Sequence, residues 1–276
     1  MPMEFKQKTI GDIIESEHLM LSTAPQRYGA YYTIAIDLSE FLSSAVKSID
    51  RDHETFSRFM SQVAKHHLLA VFSTVRLHHI QAMMNLRQVL ENGACAAFAI
   101  ANPDPAHFAS TTPEGTLDAS QKLTIKRYEW LNKHFPQGSS SIEAMKKMIN
   151  KSTAHANIAY TNQNFRLAET GDGFNTPFFD FEDEYFVMCD LLMASSIALS
   201  LIKLFYGVKK DVNAIVWRDD FESRFAPLFD RETALRNEMH SSDRFKQQQQ
   251  KFGHLMKRAS KSSSRSHCLR PISPFS

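Results

Sequence analysis

The stretch ETFSRFMSQVAKHHLLAVFSTVRLHHIQAMMNLRQVLENGACAAFAIA, residues 54–101, decides the fold class of this chain. It contains no proline, and its only glycine is Gly93. Apolar residues recur through it at the spacing of one face of an α-helix. They are Phe59, Val63, Leu68, Phe72, Val75, Ile80, Met83, Leu86 and Leu90. A single helix of this length would span about 70 Å, so we expect a kink near His66–His67 or near Gly93.

Helical patterns also occur on both sides of this stretch. They predict further helices at about residues 31–50, 119–135, 139–161, 182–206 and 218–239. A strand–turn–strand pattern occurs at residues 163–181, where Gly171-Asp172-Gly173 would form the turn. The sequence therefore predicts an all-α protein, a helical bundle with a long central helix and a small β-hairpin insertion.

Charge is distributed unevenly along the chain, and this suggests a boundary. The net charge is +2, yet residues 241–276 carry eight Lys or Arg side chains against one acidic side chain, Asp243. The same segment contains QQQQ and KRASKSSSRS, a composition that buries too little apolar surface to order itself. We expect a helical domain at residues 1–240 and a basic, disordered tail at residues 241–276.

The cysteines and the apolar segments indicate a cytoplasmic protein. Cys95, Cys189 and Cys268 lie far apart and form no Cys-x-x-Cys pair, which fits a reducing compartment. The N-terminal residues lack the apolar run of a signal peptide. The apolar segment at residues 191–208 contains Lys203 and several serines, so we interpret it as a buried helix and not as a membrane span.

Several catalytic classes lack their signatures here. The P-loop, Gly-x-Gly-x-x-Gly, Gly-x-Ser-x-Gly and His-Glu-x-x-His patterns are all absent. The adjacent histidine pairs, His66–His67 and His78–His79, point about 100° apart on a helix, so neither pair chelates one metal ion by itself. We expect no cofactor and no metal.

One histidine stands in a run of small and polar residues, in NKSTAHAN. Lys147, Lys151 and His155 are spaced by four residues and share one face of a predicted helix. Two ammonium groups can bind a phosphodiester, and an imidazole can act as a general acid or base near neutral pH. The alternative is a solvated basic face with a partly buried histidine.

A second set of polar residues interrupts the apolar run of the long helix. Arg76, His79, Arg87 and Glu91 lie along one stripe, with Met83 between them. Charged side chains are rarely buried without a partner. Arg87 and Glu91 can therefore pair with each other, or point at a neighbouring helix or a ligand. The alternative is an exposed stripe on a long helix.

Two stretches in this order, RQVLENGACAAFAI and then NKSTAHAN, resemble bacterial helical proteins of the HEPN superfamily. The resemblance covers about residues 60–205. It implies a protein of phage-defence or toxin–antitoxin loci that acts on RNA, and a homodimer, because HEPN active sites are commonly assembled across a dimer. Active members carry an arginine, then four to six intervening residues, then the histidine, whereas Asn150 and not an arginine stands five residues before His155, and the nearest cation is Lys151, only four residues before it.

The resemblance assigns roles to the candidate residues of this chain. His155 would be the general acid or base of a metal-independent ribonuclease. Lys147 and Lys151 would bind phosphate, and Arg87 and Glu91 would orient the site from the long helix. A lysine offers a point charge where the family's arginine offers a two-pronged fork. The change at Asn150 therefore also leaves room for a non-catalytic RNA-binding or regulatory member.

Two other functions stay open at this point. The first is a non-enzymatic helical interaction or regulatory protein with a protein partner, which an exposed groove around Met83, Met84, Met145 and Met148 would favour. The second is nucleic-acid binding through the basic tail at residues 241–276, which would weaken strongly with salt.

Overall fold

The computed structural model describes residues 4–6, 9–153, 166–167, 173–175, 178–180, 182–210 and 212–251. The chain divides into two compact units, Met1–Phe221 and Glu222–Ser276. His155 lies outside the described residues, as does the turn of the predicted hairpin.

The helices account for most of the described chain. They are α1 (Ile10–Ser44), α2 (Glu54–Val75), α3 (His79–Ala101), α4 (Gln121–His134), α5 (Pro136–Thr153), α6 (Glu184–Lys209) and α7 (Phe221–Ser241). The strands are β1 (Glu4–Lys6), β2 (Val46–Ile49), β3 (Ser110–Thr111), β4 (Leu117–Asp118), β5 (Arg166–Leu167), β6 (Gly173–Asn175) and β7 (Ile215–Trp217). The predicted fold class, an all-α helical bundle with a small hairpin, is confirmed.

Within the predicted hairpin at residues 163–181, the described residues include two short paired strands. In it β5 pairs antiparallel with β6, with Arg166 opposite Asn175. A third strand that the sequence did not suggest, β1, pairs in parallel with β6. Two further antiparallel pairs, β2 with β7 and β3 with β4, are equally short.

The long helix predicted at residues 54–101 is two helices. α2 ends at Val75 and α3 begins at His79, so neither His66–His67 nor Gly93 marks the break. Leu77 between them has φ of 60°, a left-handed conformation that is uncommon for a non-glycine residue. The two helices fold back on each other, and His66 Nδ1 lies 2.9 Å from Asn85 Oδ1 across the pair.

A distant segment stabilises this break. The Asp180 carboxylate accepts a hydrogen bond from the His79 N–H at 2.6 Å, and the Asp180 N–H donates to the Leu77 carbonyl at 2.9 Å. Free N–H groups at the start of a helix need such a partner. The residue that satisfies α3 is therefore 101 positions away in sequence.

Gly93 lets α3 pack closely on α6 and does not kink the helix. A Cβ atom at Gly93 would lie 2.5 Å from Leu201 Cδ2. α6 itself is buried along much of its length, and it includes the fully buried Leu191 and Ile197. By length and composition α6 could cross a membrane, but 56% of its most apolar window is buried inside the protein. The expectation of a buried helix at residues 191–208 agrees with this burial.

The helix predicted at residues 31–50 ends earlier than expected. It is the second half of α1, which stops at Ser44, and β2 follows at once. Arg218 satisfies the helix end, because its Nε donates to the Ser44 carbonyl at 2.8 Å and its N–H donates to the Ala45 carbonyl at 3.0 Å. Pairing with β7 then holds β2 in the extended conformation.

The second unit contains the rest of α7. Residues 243–251 are also helical, so the first part of the segment 241–276 differs from the disordered tail that we predicted. Its glutamines are compatible with a helix, and Ser242 accepts a hydrogen bond from the Phe245 N–H at 3.2 Å as the helix begins. Residues 252–276 lie outside the described part of the chain.

A buried histidine joins three helices of the first unit. His67 on α2 is completely buried, and its Nε2 lies 3.1 Å from the Ala194 carbonyl of α6. Its Nδ1 lies 2.7 Å from Ser39 Oγ of α1. Since a carbonyl only accepts, Nε2 carries the proton and Nδ1 of the neutral ring accepts from the serine hydroxyl. Burial lowers the pKa of His67 to about 4, although the bond to Ala194 opposes this shift.

Candidate functional site

Arg87 and Glu91 face a neighbouring helix, as one of our alternatives expected. They pair along α3, with Arg87 Nε 3.2 Å from Glu91 Oε1. Both side chains are about two-thirds buried, with 30% and 34% of their surface exposed. The exposed stripe that was the other alternative is therefore excluded for this pair.

The partner of Arg87 on the facing helix is Asn150 of α5. Arg87 NH1 donates a hydrogen bond to Asn150 Oδ1 at 2.6 Å. A guanidinium group has five donors in a planar fork, so it can bind Glu91 and Asn150 together and retain donors for another acceptor. This contact joins α3 to the last turn of α5, five residues before His155 in the sequence.

Lys146 is a site residue that sequence reasoning missed. Its Nζ lies 3.2 Å from Glu91 Oε1 and donates to the Tyr128 hydroxyl of α4 at 2.9 Å. Burial tends to lower the pKa of Lys146, but its contacts with Tyr128 and Glu91 outweigh burial and raise it. The ammonium group therefore stays charged while only 20% of the side chain is exposed.

Arg127 on α4 is a buried cation without a carboxylate partner among the described residues. It is 8% exposed. NH2 donates to Thr124 Oγ1 at 3.0 Å, NH1 lies 3.4 Å from the His107 carbonyl, and the guanidinium lies 5.5 Å from the centre of the Phe108 ring. Burial raises the pKa of the Cys95 thiol, and the positive charge of Arg127 opposes this shift.

These side chains form one polar seam between α3, α4 and α5. We define the polar seam as Arg87, Glu91, Arg127, Tyr128, Lys146 and Asn150. Three of them are cations and one is a carboxylate; Arg87 and Lys146 contact that carboxylate, whereas Arg127 is bonded to Thr124 and the His107 carbonyl. Buried charge that is not balanced within the protein is costly, so an excess of cations favours the binding of an anion.

The other predicted phosphate-binding residues are only partly described. Lys147 is exposed on α5, next to Lys146 but on a different face of the helix. The backbone of Lys151 belongs to the last turn of α5. His155 follows the end of that helix and lies outside the described residues, so the structure does not test its contacts.

The stripe that we predicted from Arg76 to Glu91 is wrong in its first half. Because the chain turns at Leu77, Arg76 caps the end of α2 while His79 begins α3, and the two side chains pair elsewhere. Arg76 NH1 lies 3.4 Å from Glu17 Oε2, and His79 Nδ1 lies 2.7 Å from Asp190 Oδ2. Burial tends to lower the pKa of His79, but the hydrogen bond to Asp190 and the charges of Asp190 and Asp180 outweigh burial and raise it.

A signal for Lys146 was present in the sequence. Ile142 and Ile149 are seven residues apart and both are buried, which marks the inward face of α5. Lys146 lies between them on that face, and Asn150 is one turn further on. Lys147 looked more attractive because it aligns with Lys151 and His155. Arg127 gave no comparable signal, since α4 has few buried residues to mark its inward face.

The described residues contain no group of three or more His, Cys, Asp or Glu side chains that could hold a metal ion. The chain matches no family model, no curated protein and no solved structure.

Proposed function

We propose that this protein binds RNA at the polar seam and at the adjoining end of α5, and that it cleaves RNA without a metal ion. The observation that carries the proposal is the 2.6 Å hydrogen bond between Arg87 NH1 and Asn150 Oδ1. It supports the idea that a guanidinium from α3 replaces the arginine that the HEPN pattern would place at Asn150.

Metal-independent cleavage of RNA requires a group that transfers protons and cations that stabilise negative charge. In metal-independent cleavage the 2′-hydroxyl oxygen attacks the phosphorus atom and the bond to the 5′ oxygen breaks, which leaves a cyclic phosphate and a free 5′-hydroxyl. His155 is the proposed general acid or base in this step. Arg87 and Lys146 would stabilise the charge that develops on the phosphate oxygens, and Lys147 and Lys151 would bind the neighbouring phosphates.

The proposal can be tested by exchanging the residues at positions 87 and 150. The double variant Arg87→Asn with Asn150→Arg moves the guanidinium to the position that the family pattern uses. We expect Arg87→Asn alone to reduce the cleavage rate by about 100-fold, the scale of removing one charge-stabilising donor. We expect the double variant to recover at least part of that loss, because the fork is restored from the other helix.

The assay is cleavage of a labelled single-stranded RNA by the purified full chain in excess EDTA. His155→Ala should abolish cleavage without changing the folded state. His18→Ala is the matched control, since His18 is an exposed histidine on α1 and should cleave at the wild-type rate. Cleavage by His155→Ala at the wild-type rate would show that the proposed site is wrong.

A non-enzymatic interaction or regulatory protein is the second candidate function. One observation favours it: Met84 and Met148 are 40% and 51% exposed, which suits a protein-binding surface. Met83, which we expected to line the same groove, is buried and cannot contribute to such a surface. Intact RNA with both wild type and His155→Ala, together with a stable complex in a pull-down, would support this function.

Homodimerisation and a cytoplasmic location remain part of the proposal. The HEPN resemblance implies a dimer, which light scattering during gel filtration would detect. A monomer that cleaves RNA would separate the chemistry from the dimer and contradict that part. Fractionation of cells that express the tagged chain would test the location.

A further inference from the structure

One carboxylate oxygen holds two cations of the polar seam. Glu91 Oε1 lies 3.2 Å from Arg87 Nε and 3.2 Å from Lys146 Nζ. An oxygen between a guanidinium and an ammonium group is the arrangement in which proteins bind phosphate oxygens. Glu91 therefore sits where a phosphate oxygen of a ligand would be bound.

We propose that Glu91 is an internal competitor of phosphate, which an RNA phosphodiester displaces when it binds to Arg87 and Lys146. This inference rests on the proposed function for its ligand, RNA. It adds that the unliganded site is closed by the protein's own carboxylate and that the affinity for RNA is set partly by Glu91.

The two cations do not need Glu91 to stay in place. Arg87 is held by the amide oxygen of Asn150 at 2.6 Å, and Lys146 is held by the Tyr128 hydroxyl at 2.9 Å. Both of these partners are neutral, so both cations keep their positions and their charge when the carboxylate leaves. A site whose donors are fixed in advance loses little free energy of ordering when its ligand binds.

The exposure of the three side chains permits the exchange. Arg87, Glu91 and Lys146 are 30%, 34% and 20% exposed, so solvent reaches the contact and an RNA phosphate can approach it. Arg127 adds a buried charge that no carboxylate among the described residues balances. The site therefore retains an excess of positive charge even with Glu91 in place, and this excess attracts the competing anion.

The test is the isosteric variant Glu91→Gln. We expect it to bind a short single-stranded RNA with 2′-O-methyl groups, which cannot be cleaved, about tenfold more tightly than wild type, because it removes two competing ion pairs. Binding is measured by fluorescence anisotropy at fixed ionic strength. Glu54→Gln is the matched control, since Glu54 also pairs with an arginine one turn away, Arg58, but on the exposed side of α2.

A second measurement separates this inference from the proposed function. Inorganic phosphate, compared with chloride at equal ionic strength, should raise the melting temperature of Glu91→Gln more than that of wild type. If phosphate does so while RNA binds to neither protein, the role of Glu91 stands and the RNA function fails. If RNA binding requires Arg87 but Glu91→Gln binds no more tightly, the RNA function stands and the role of Glu91 is wrong.

The conservative variant Glu91→Asp covers the case in which Glu91→Gln does not fold. It retains the charge but shortens the side chain by one methylene group, so both contacts weaken. We expect a smaller gain in RNA affinity in the same direction. Equal or weaker RNA binding by a folded Glu91→Asp overturns the inference.

Discussion

The contact at His67 and the polar seam are both polar regions between packed helices, and they differ in charge. At His67 the partners are a hydroxyl group and a carbonyl group, and each ring nitrogen has one partner. In the polar seam, two cations, Arg87 and Lys146, share the carboxylate of Glu91, and the third, Arg127, has no carboxylate partner among the described residues. The hydrogen bonds of the first region are satisfied within the protein. The second region has hydrogen-bond donors and positive charge that the protein does not balance.

This difference separates polar residues that stabilise the fold from polar residues that can bind a ligand. A neutral, fully hydrogen-bonded group in the core contributes to stability and offers nothing to a solute. An excess of partly exposed cations contributes little to stability but attracts anions. The following predictions test this separation, starting with the largest expected change in stability.

Removing the buried imidazole should cause the largest loss of stability. We expect His67→Ala to lower the free energy of unfolding by about 3 kcal/mol, because it leaves a cavity and two unpaired polar groups. Urea unfolding followed by circular dichroism measures this. Arg87→Ala serves as the comparison and should cost less than about 1 kcal/mol. Equal losses for the two variants would remove the distinction between the regions.

Because of His67, the free energy of unfolding should also decrease when the pH is lowered. In the unfolded chain the imidazole binds a proton near pH 6.5, whereas in the folded protein its pKa is lowered to about 4. Between these values the unfolded state holds more protons, so acid favours unfolding, with a slope of up to about 1.4 kcal/mol per pH unit. The contribution is complete above pH 6.5 and is lost as the pH falls towards 4.

Urea unfolding at several pH values checks this prediction. His67→Gln supplies the baseline, because it retains a donor and an acceptor but does not titrate. The difference between wild type and His67→Gln should change across that window and be flat above it. If the difference in free energy of unfolding between the two proteins were constant from pH 7 to pH 4, burial would not lower the pKa of His67.

Ser39→Ala should have a smaller effect in the same region. It leaves Nδ1 of His67 without the hydroxyl donor that lies 2.7 Å away. An unsatisfied buried acceptor costs about 1–2 kcal/mol, so we expect a loss of stability of that size without a change in RNA binding. Ser200→Ala is the control, since its hydroxyl is exposed on α6 and bonds only the Ser196 carbonyl in its own helix. A Ser39→Ala variant as stable as this control would contradict the tautomer that we assign to His67.

Of these variants, Lys146→Met should change the free energy of unfolding least. Its main effect should be on the binding of RNA. Methionine fills a similar volume, so we expect the free energy of unfolding to stay within about 1 kcal/mol of wild type. RNA affinity should fall and its dependence on salt should weaken by about 0.7 in the logarithmic slope, the value for one phosphate contact with a single strand. Lys47→Met, at an exposed ion pair with Asp219, should leave both unchanged. An unchanged slope for Lys146→Met would exclude Lys146 from the binding site.

The sequence predicted only the part of the candidate site that lies on α3. Arg87 and Glu91 were noticeable because charge is rare in an apolar helical run, and their pairing follows from a spacing of four residues. Their partners on α4 and α5 depend on which helix packs where. Lys146 and Lys147 differ by one position in sequence, but about 100° of rotation decides that Lys146 reaches Glu91 and Lys147 faces solvent.

What the sequence by itself determined is the helical class of this protein and most of its helix positions, because these follow from local periodicity and from prolines and glycines at the ends. Only the tertiary structure decided where the helix predicted at residues 54–101 breaks. Its turn at Leu77 has no proline or glycine to mark it, and the cap comes from Asp180, far away in the chain. The excess of charge in the polar seam has the same origin, since three packed helices bring together cations that the sequence keeps apart.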